Sequence, residues 1–284
     1  MDKEFIDILK RMIKPCQTGQ TGTFPEDNGK VLFIKEYLKE SPLLFGTPSV
    51  ICYGQTDFPK VILSAHIDTV PSMKHFFLNE DEKNGFLYGN FDNALSDAVL
   101  VSLIKDHFRK DVWYCFTADE ETGRCRGIKD VLSMYFDMLG REDAVGIALD
   151  CTYENKNGFT IENIRIPEEK RERGLFSYLY EKKLPFRAVY PYGAKANASL
   201  HEEDISAFPS WFDEGTFYGD YIRKGILSSA FSICIPVMGE MHADSGCMAR
   251  TDDIEAFLSG TDMILSYFTK TEPLYKEPDN RWLK

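Results

Sequence analysis

The sequence predicts an α/β fold in which a largely parallel sheet is covered by helices on both faces. Short apolar runs bounded by Gly and Pro, which are typical of buried strands, alternate with longer segments of helical periodicity. That alternation indicates βαβ units, whose crossovers place helices on the faces of the sheet. The sequence contains no internal repeat and no Pro/Ser-rich or charge-dense linker, so we expect residues 1–284 to form one domain.

The predicted elements follow in chain order. Two amphipathic helices come first, at 2–14, where Pro15 ends the helix, and at 29–39. Further helices are predicted at 94–108, 126–139, 168–183 and 251–268. Strands are predicted at 50–53, 61–65, 112–117, 144–149 and 232–237.

Composition and charge exclude several classes of function. With 33 Lys and Arg against 45 Asp and Glu, the net charge of −12 repels phosphate backbones and anionic lipids, so we expect no nucleic-acid or membrane partner. No apolar run is long enough to span a bilayer. The first segment, MDKEFIDILKRMIK, carries charges where a signal peptide needs an apolar core. Seven cysteines without a CxxC pair indicate reduced thiols, and we expect a cytoplasmic protein.

A set of acidic and imidazole side chains stands where predicted strands end or just before a predicted helix. They are His66, Asp68, Asp92, Glu120, Glu121, Asp150 and His242. The ligand crevice of an open α/β sheet lies outside the carboxyl ends of its strands. We therefore expect these side chains to converge on one crevice.

So many carboxylates in one crevice require a cation. Close carboxylates repel one another unless a positive charge compensates them, and two histidines with three or four carboxylates suit Zn²⁺ or a related divalent ion. The number of ligands is enough for two ions that share a bridging carboxylate. Asp68, two residues after His66, is placed to orient the imidazole. One of Glu120 and Glu121 can bind metal while the other takes a proton from water.

Each motif also has a plainer structural interpretation. His66 with Asp68 could be a surface pair at a strand end, and Glu120–Glu121 a solvated acidic turn. Asp92 stands where aspartate is favoured as a helix N-cap.

Other residues carry no motif of their own. We interpret His75, His107 and His201 as structural or surface residues, and the cysteines as core residues. The aromatic-rich segment 190–221 is either a pocket wall or a satellite core under a long loop.

Five motifs carry a family resemblance. SAHIDTVP, GNFDNALSDA, ADEETGRCRG, ALD and MHADSG, in this order, resemble those of the co-catalytic di-zinc exopeptidases. That superfamily includes aminopeptidases, tripeptidases, carboxypeptidases and acyl-amino-acid deacylases. The motifs spread over residues 61–246, and His-x-Asp-Thr-Val-Pro followed by Asp-Glu-Glu-x-Gly is the specific pair. The resemblance implies a three-layer α/β/α fold with a mostly parallel mixed sheet.

The resemblance also implies a role for each site residue. It makes His66 and Asp150 ligands of one Zn²⁺ and Glu121 and His242 ligands of a second, with Asp92 bridging the two ions. Co²⁺ and Mn²⁺ are alternative metals. Glu120 is then the general base and Asp68 orients His66. The resemblance further implies a cis peptide bond between Asp92 and Asn93.

The chain also departs from parts of the superfamily. The interval between His66 and Asp92 is too short for an accessory domain, and that between Asp150 and His242 is too short for a full lid domain. We therefore expect no separate lid domain, as in the simple aminopeptidases. Where relatives often carry a glutamate after the last histidine, this chain has Ser245-Gly246-Cys247, which bears on recognition of the substrate's end.

The expected function is that of an aminopeptidase that removes N-terminal residues from a peptide or small amide substrate, using water activated by two zinc ions. An N-acyl-amino-acid deacylase with the same metals is the alternative within enzymes. A non-catalytic relative that keeps the fold for binding is the alternative outside them.

Overall fold

The computed structural model describes residues 1–139, 144–153, 157–191, 205–208 and 213–270. The helices in these ranges are α1 (Lys3–Met12), α2 (Gly29–Tyr37), α3 (Ala94–Asp106), α4 (Arg126–Leu139), α5 (Glu169–Glu181), α6 (Glu214–Arg223) and α7 (Thr251–Thr269). Every predicted helix is present, and α6 is an additional one. Among these helices, none combines the length and the apolar character needed to cross a bilayer.

Nine strands form the main sheet. They are β1 (Leu43–Thr47), β2 (Val50–Tyr53), β3 (Val61–His66), β6 (Val112–Thr117), β7 (Val145–Thr152), β8 (Phe159–Arg165), β9 (Phe186–Pro191), β10 (Ile205–Phe208) and β11 (Ser229–Pro236). Their spatial order is β1-β2-β6-β3-β7-β11-β8-β9-β10. The pairs β3–β6, β3–β7, β7–β11, β8–β9 and β9–β10 are parallel, whereas β1–β2, β2–β6 and β8–β11 are antiparallel. The expectation of a mostly parallel mixed sheet is therefore confirmed.

Helices cover both faces of this sheet, which gives the three layers that were expected. Helices α3 and α7 pack on one face, with α1 against α3 and α5 against α7, while α4 and α6 pack on the other. The central strands alternate accordingly: Leu63 belongs to the core beneath α3, and Ile62 to the core beneath α4 and α6. Strands buried on both faces read as continuous apolar runs, which is why they were predictable.

A second, four-stranded sheet lies beside the main one. It consists of β4 (Leu78–Asp81), β5 (Phe86–Gly89), β12 (Met238–Gly239) and β13 (Cys247–Arg250), in the order β12-β13-β5-β4. The sequence did not predict these short strands. The antiparallel pairing of β13 with β5 brings the segment before Asp92 next to the segment that follows His242.

The described part of the interval between Asp150 and His242 contributes to the main sheet and its covering helices. Strands β8, β9, β10 and β11 extend the sheet, and α5 and α6 pack within the helical layers. This agrees with the expected absence of a separate lid in that part of the chain.

Candidate active site

Two adjacent parallel strands bring the first site residues together. His66 is the last residue of β3 and pairs in register with Thr117, the last residue of β6. The turn that carries Glu120 and Glu121 follows β6 directly. Asp68 lies beyond the end of β3, and its carboxylate oxygens accept hydrogen bonds from the backbone N–H groups of Glu120 (3.2 Å) and Glu121 (3.1 Å). Asp68 therefore holds the glutamate turn against the end of β3.

The glutamate turn has a backbone shape that its sequence explains. Asp119 and Gly123 both have positive φ, of 75° and 73°, and the N–H of Gly123 bonds to the carbonyl of Glu120 at 2.7 Å. Glycine adopts such a φ without the Cβ clash that other residues suffer. The buried Asp119 side chain accepts hydrogen bonds from Thr122 (2.7 Å) and Arg124 (2.6 Å), which offsets its own unfavourable backbone conformation.

Asp92 and His242 enter the site from the side of the small sheet. Asp92 follows β5, and His242 lies in the segment between β12 and β13. The side chain of Asn90 ties these segments together, because its Nδ2 donates to the carbonyl of Ala243 at 3.3 Å. Asn93 anchors the other side, with Nδ2 donating to the carbonyl of Leu149 at 2.8 Å. The bond between Asp92 and Asn93 is cis, as the resemblance implied.

Asp150 reaches the same place from β7. The sequence placed Asp150 at the end of its strand, whereas β7 continues to Thr152, because β11 pairs with it over its whole length. The Asp150 carboxylate lies 3.8 Å from His66, measured from Oδ1 to Nε2.

Asp92 lies between the two imidazoles with one oxygen directed to each. Its Oδ1 is 3.3 Å from His66 Nε2, and its Oδ2 is 2.8 Å from His242 Nε2. Glu120 Oε2 lies 3.8 Å from His66 Nε2, and Glu121 Oε2 lies 3.6 Å from His242 Nε2. The structure thus brings all seven sequence-predicted residues into one cluster.

Burial and mutual repulsion shift the protonation of this cluster. Burial, together with the charges of Asp150 and Glu121, raises the pKa of Glu120 to about 10, against the opposing effect of His66. Burial and the charge of Asp92 raise the pKa of Glu121 to about 8. The metal-free protein therefore favours protonated glutamates here, as expected where carboxylates crowd without a compensating charge.

The pKa values of the two histidines are also raised, which favours the charged form of each imidazole. The hydrogen bond to Asp92 raises the pKa of His242 to about 9, although burial opposes it. Burial alone would lower the pKa of His66, but Glu120, Asp150 and their neighbours raise it well above its usual value. The raised pKa values of the histidines thus reflect the carboxylates that surround them.

The donor set fits a divalent cation. Ligand atoms of His66, Asp92 and Glu121 all lie within 4.8 Å of one another. Asp92 Oδ1 and Glu121 Oε1 are buried and accept no hydrogen bond from any described residue. A buried carboxylate oxygen without a partner is costly, and a metal ion would satisfy both. Imidazole nitrogen and carboxylate oxygen are also ligands that zinc accepts.

A cavity of about 330 Å³ adjoins the cluster and contains acids that sequence reasoning missed. Glu162 on β8 and Asp213 before α6 line it together with His66, Glu120 and Asp150. Asp213 could have been noticed, because Asp213 and Thr216 form a capping box at the start of α6. No sequence pattern indicated Glu162, because it lies inside a buried strand. Its carboxylate accepts a hydrogen bond from Thr160 at 2.6 Å.

The structure contradicts the N-cap interpretation of Asp92 and agrees with structural or surface roles for His75 and His107. Asn93, not Asp92, precedes the first residue of α3, and it makes no side-chain capping bond. His107 pairs with Asp262 at 3.4 Å, away from the cluster, and the backbone of His75 bonds to Asp244. His201, Tyr192, Trp211 and Phe212 lie outside the described residues. The described aromatic residues of the segment 190–221 include four that pack in or against the hydrophobic cores, namely Tyr190, Phe217, Tyr218 and Tyr221.

Comparisons with known proteins agree with this fold. Among solved structures, the chain is similar to an aminopeptidase from the archaeon Desulfurococcus kamchatkensis, with a TM-score of 0.64, 12% identity, and 96% of this chain and 99% of that chain covered. The TET1 peptidase of Pyrococcus horikoshii gives 0.63 at 11% identity, covering 92% and 99%. A tripeptidase from Staphylococcus aureus gives 0.59 at 8% identity, covering 94% and 98%. A search of the curated proteins finds no match.

Fold and site together define a member of the co-catalytic metallopeptidase superfamily. The sequence profile of Peptidase family M20/M25/M40 matches residues 62–256, which span more than half of the chain and include all seven site residues. The chain belongs to Peptidase family M20/M25/M40.

Proposed function

We propose that this protein is a metal-dependent exopeptidase, an aminopeptidase that hydrolyses the N-terminal peptide bond of short peptides. The observation that carries the proposal is the position of Asp92 between two imidazoles, each of which has a glutamate within 3.8 Å. Membership in a peptidase family and the similarity to aminopeptidase and tripeptidase structures support it.

The proposed ligand set is the one that the family resemblance implies, and the distances are compatible with it. His66 and Asp150 would hold one divalent ion, Glu121 and His242 would hold a second, and Asp92 would be shared by the two. When bound, two zinc ions supply Lewis-acid chemistry that activates water and polarises the scissile carbonyl. Co²⁺ and Mn²⁺ suit the same nitrogen and oxygen donors.

The protein's own residues then move the proton. Glu120, which is not a ligand in this proposal, takes a proton from the attacking water and delivers it to the leaving amine. Asp68 fixes the glutamate turn through two backbone hydrogen bonds and stands 3.5 Å from His66 Nδ1, where it orients the ring. The adjoining cavity, at about 330 Å³, has the size of a small-ligand pocket and suits one end of a peptide.

Compartment and domain organisation belong to the same proposal. None of the seven cysteines forms a disulfide, and Cys115 Sγ donates a hydrogen bond to Cys52 Sγ at 3.6 Å. Free, mostly buried thiols support a reducing compartment, so we place the protein in the cytoplasm. We also propose that residues 1–284 form one catalytic domain.

One assay series tests the proposal. Purified protein, stripped of metal and then loaded with Zn²⁺, Co²⁺ or Mn²⁺, is offered aminoacyl-anilides and, separately, N-acetyl amino acids. Metal-dependent release from the anilides is the expected result. Hydrolysis of the N-acetyl amino acids alone would identify a deacylase instead. A protein that binds no metal and hydrolyses neither substrate would be a binding relative, and the proposal would be wrong.

A further inference from the structure

A buried lysine contacts the backbone between two residues of the cluster. Lys30, the second residue of α2, is 1% exposed, and its Nζ donates a hydrogen bond to the carbonyl of Ile67 at 3.0 Å. Ile67 stands between His66 and Asp68. A fully buried lysine is rare in proteins unless it is paired, so the burial of Lys30 requires an explanation.

Ile67 is held on both sides. Its N–H bonds to the carbonyl of Thr117 at 2.9 Å, which continues the pairing of β3 with β6. Its carbonyl, which belongs to the peptide group leading into Asp68, is held by Lys30. The first bond fixes the peptide plane after His66 and the second fixes the plane before Asp68. Together they set the directions in which both side chains leave the backbone.

The nearest carboxylate to Lys30 is itself unusual. Asp97 on α3 is fully buried, and its Oδ2 lies 3.7 Å from Lys30 Nζ, beyond hydrogen-bond distance. Neither oxygen of Asp97 has a hydrogen-bond partner among the described residues. Burial raises the pKa of Asp97 to about 7 even though Lys30 opposes the shift. The better-formed contact of Lys30 is therefore the one with Ile67.

We propose that Lys30 is a positioning residue for the metal cluster, which fixes His66 and Asp68 through the carbonyl of Ile67. The inference rests on the proposed function, because the proposed function gives the cluster a metal ion to bind. The inference also gives α2, which contributes none of the proposed ligands, a role in positioning the site residues. Groups that hydrogen-bond directly to ligand side chains typically change metal affinity by about 10–100-fold when they are removed, and we expect an effect up to this size for Lys30, which acts through the backbone of Ile67.

A purely structural role for Lys30 makes a different prediction. If Lys30 served only to compensate the charge of Asp97, then removing both charges together would restore the wild-type site. If Lys30 acts through Ile67, then Asp97 is dispensable and the loss of the lysine alone weakens the site.

The experiment compares Lys30→Met, Asp97→Asn and the double variant with the wild-type protein. Each metal-free protein is titrated with Co²⁺, followed by its visible absorption, and its thermal midpoint is measured. Lys60→Met is the control for the loss of a lysine that donates to a backbone carbonyl (Thr269, 3.1 Å) and pairs with an aspartate (Asp111, 3.5 Å). Lys60 is half exposed and lies just before β3, at the end away from His66.

We expect Asp97→Asn and Lys60→Met to bind Co²⁺ as the wild type does. The double variant should regain the thermal midpoint of Asp97→Asn and still bind Co²⁺ more weakly, by up to about 10–100-fold, with an altered spectrum. A double variant with wild-type affinity would overturn the inference. A double variant that does not fold would also overturn it, since Lys30 would then serve the core as a whole. A wild-type protein that binds no Co²⁺ would instead overturn the proposed function, and this inference with it.

Discussion

Glu120 and Glu121 are neighbours in sequence but contact different histidines. Glu120 lies beside His66 and Glu121 beside His242, so adjacent side chains diverge to the two ends of the cluster. The Asp68 carboxylate, which accepts hydrogen bonds from both backbone N–H groups, helps to hold them in this relation. The proposed roles of base and ligand come from the family resemblance, and the divergence of the two side chains is compatible with them.

The two glutamates should therefore respond differently to the same substitution. Glu120→Gln keeps the size of the side chain and removes the proton acceptor, so we expect unchanged metal content and a rate lower by about 10²–10⁴-fold. Glu121→Gln should lower the metal content, with partial recovery in excess zinc. The metal content and the turnover rate of both variants distinguish the base from the ligand. Near-wild-type turnover by Glu120→Gln would refute the proposed mechanism.

Asp68→Asn tests the shared carboxylate. An amide offers one acceptor oxygen, so one of the two backbone N–H groups in the glutamate turn loses its partner. We expect metal affinity or activity to fall by about 10–100-fold, measured by Co²⁺ titration and turnover. Asp81→Asn is the control, since the partly buried Asp81 accepts a hydrogen bond from the backbone of Asn84 in its own turn and lies in the small sheet. Equal losses in the two variants would show that the effect is not specific to the site.

Among the elements, β7 and α6 are packed closely enough to need a glycine. A Cβ on Gly146 of β7 would lie 2.4 Å from Cδ1 of Tyr218 in α6. Tyr218 is fully buried, and its hydroxyl donates to Ser64 at 3.0 Å, so the ring has no free space to enter. The close packing of β7 against α6 therefore requires a residue without a side chain at position 146.

Gly146→Ala should destabilise the protein by about 1–3 kcal/mol, because overpacking forces α6 away from the sheet. Gly46→Ala in β1 is the matched control: its added Cβ meets only the carbonyl of Val50, at 3.9 Å, and the change should stay within about 0.5 kcal/mol. Urea unfolding of both variants measures the difference. A Gly146→Ala protein as stable as Gly46→Ala would contradict the packing described here.

The elements also show what the sequence could predict. Strands such as β3 and β6 are buried on both faces and are mostly apolar, and an amphipathic helix such as α1 is predicted by the periodicity of its apolar residues. The missed strands lack that signal. The partly exposed β4 reads LNED. In β8, the buried Glu162 accepts a hydrogen bond from Thr160 of the same strand, and the buried Asn163 donates to Asp213, which lies far away in the sequence. Partners contributed by distant segments leave no local pattern.

The same reasoning applies to the site. All seven candidate residues lie in one cluster, and each could be found from a sequence motif, although Asp150 lies inside β7 and not at its end. Their roles as ligands and base stay predictions. Lys30 went unnoticed, since a lysine on an amphipathic helix ordinarily belongs to the solvated face, and its contact with Ile67 depends on how α2 packs.

For the whole molecule, metal binding should be coupled to stability. The ligand residues come from segments as far apart as His66 and His242, so the unfolded chain offers no comparable site. A ligand that binds only the folded state adds about 2.7 kcal/mol at a concentration one hundred times its dissociation constant. Zn²⁺ should therefore raise the thermal midpoint of the metal-free protein, and a chelator should reverse the rise.

Calorimetry with and without Zn²⁺ measures this coupling. Glu121→Gln is the control, since a weakened ligand should give a smaller rise at the same Zn²⁺ concentration. A wild-type midpoint that does not respond to Zn²⁺ would argue against a metal site in the folded protein.

The strand order has a consequence for how the chain is made. β11 pairs with β7 on one side and β8 on the other, and it is the described strand that joins the two halves of the main sheet. During synthesis both halves leave the ribosome before β11, each with an unpaired edge of the kind that promotes aggregation. His242 follows a few residues later. His242 is therefore synthesised just after the strand that inserts between β7 and β8. A nascent chain can complete the cluster only once β11 is available to cover the unpaired edges of β7 and β8.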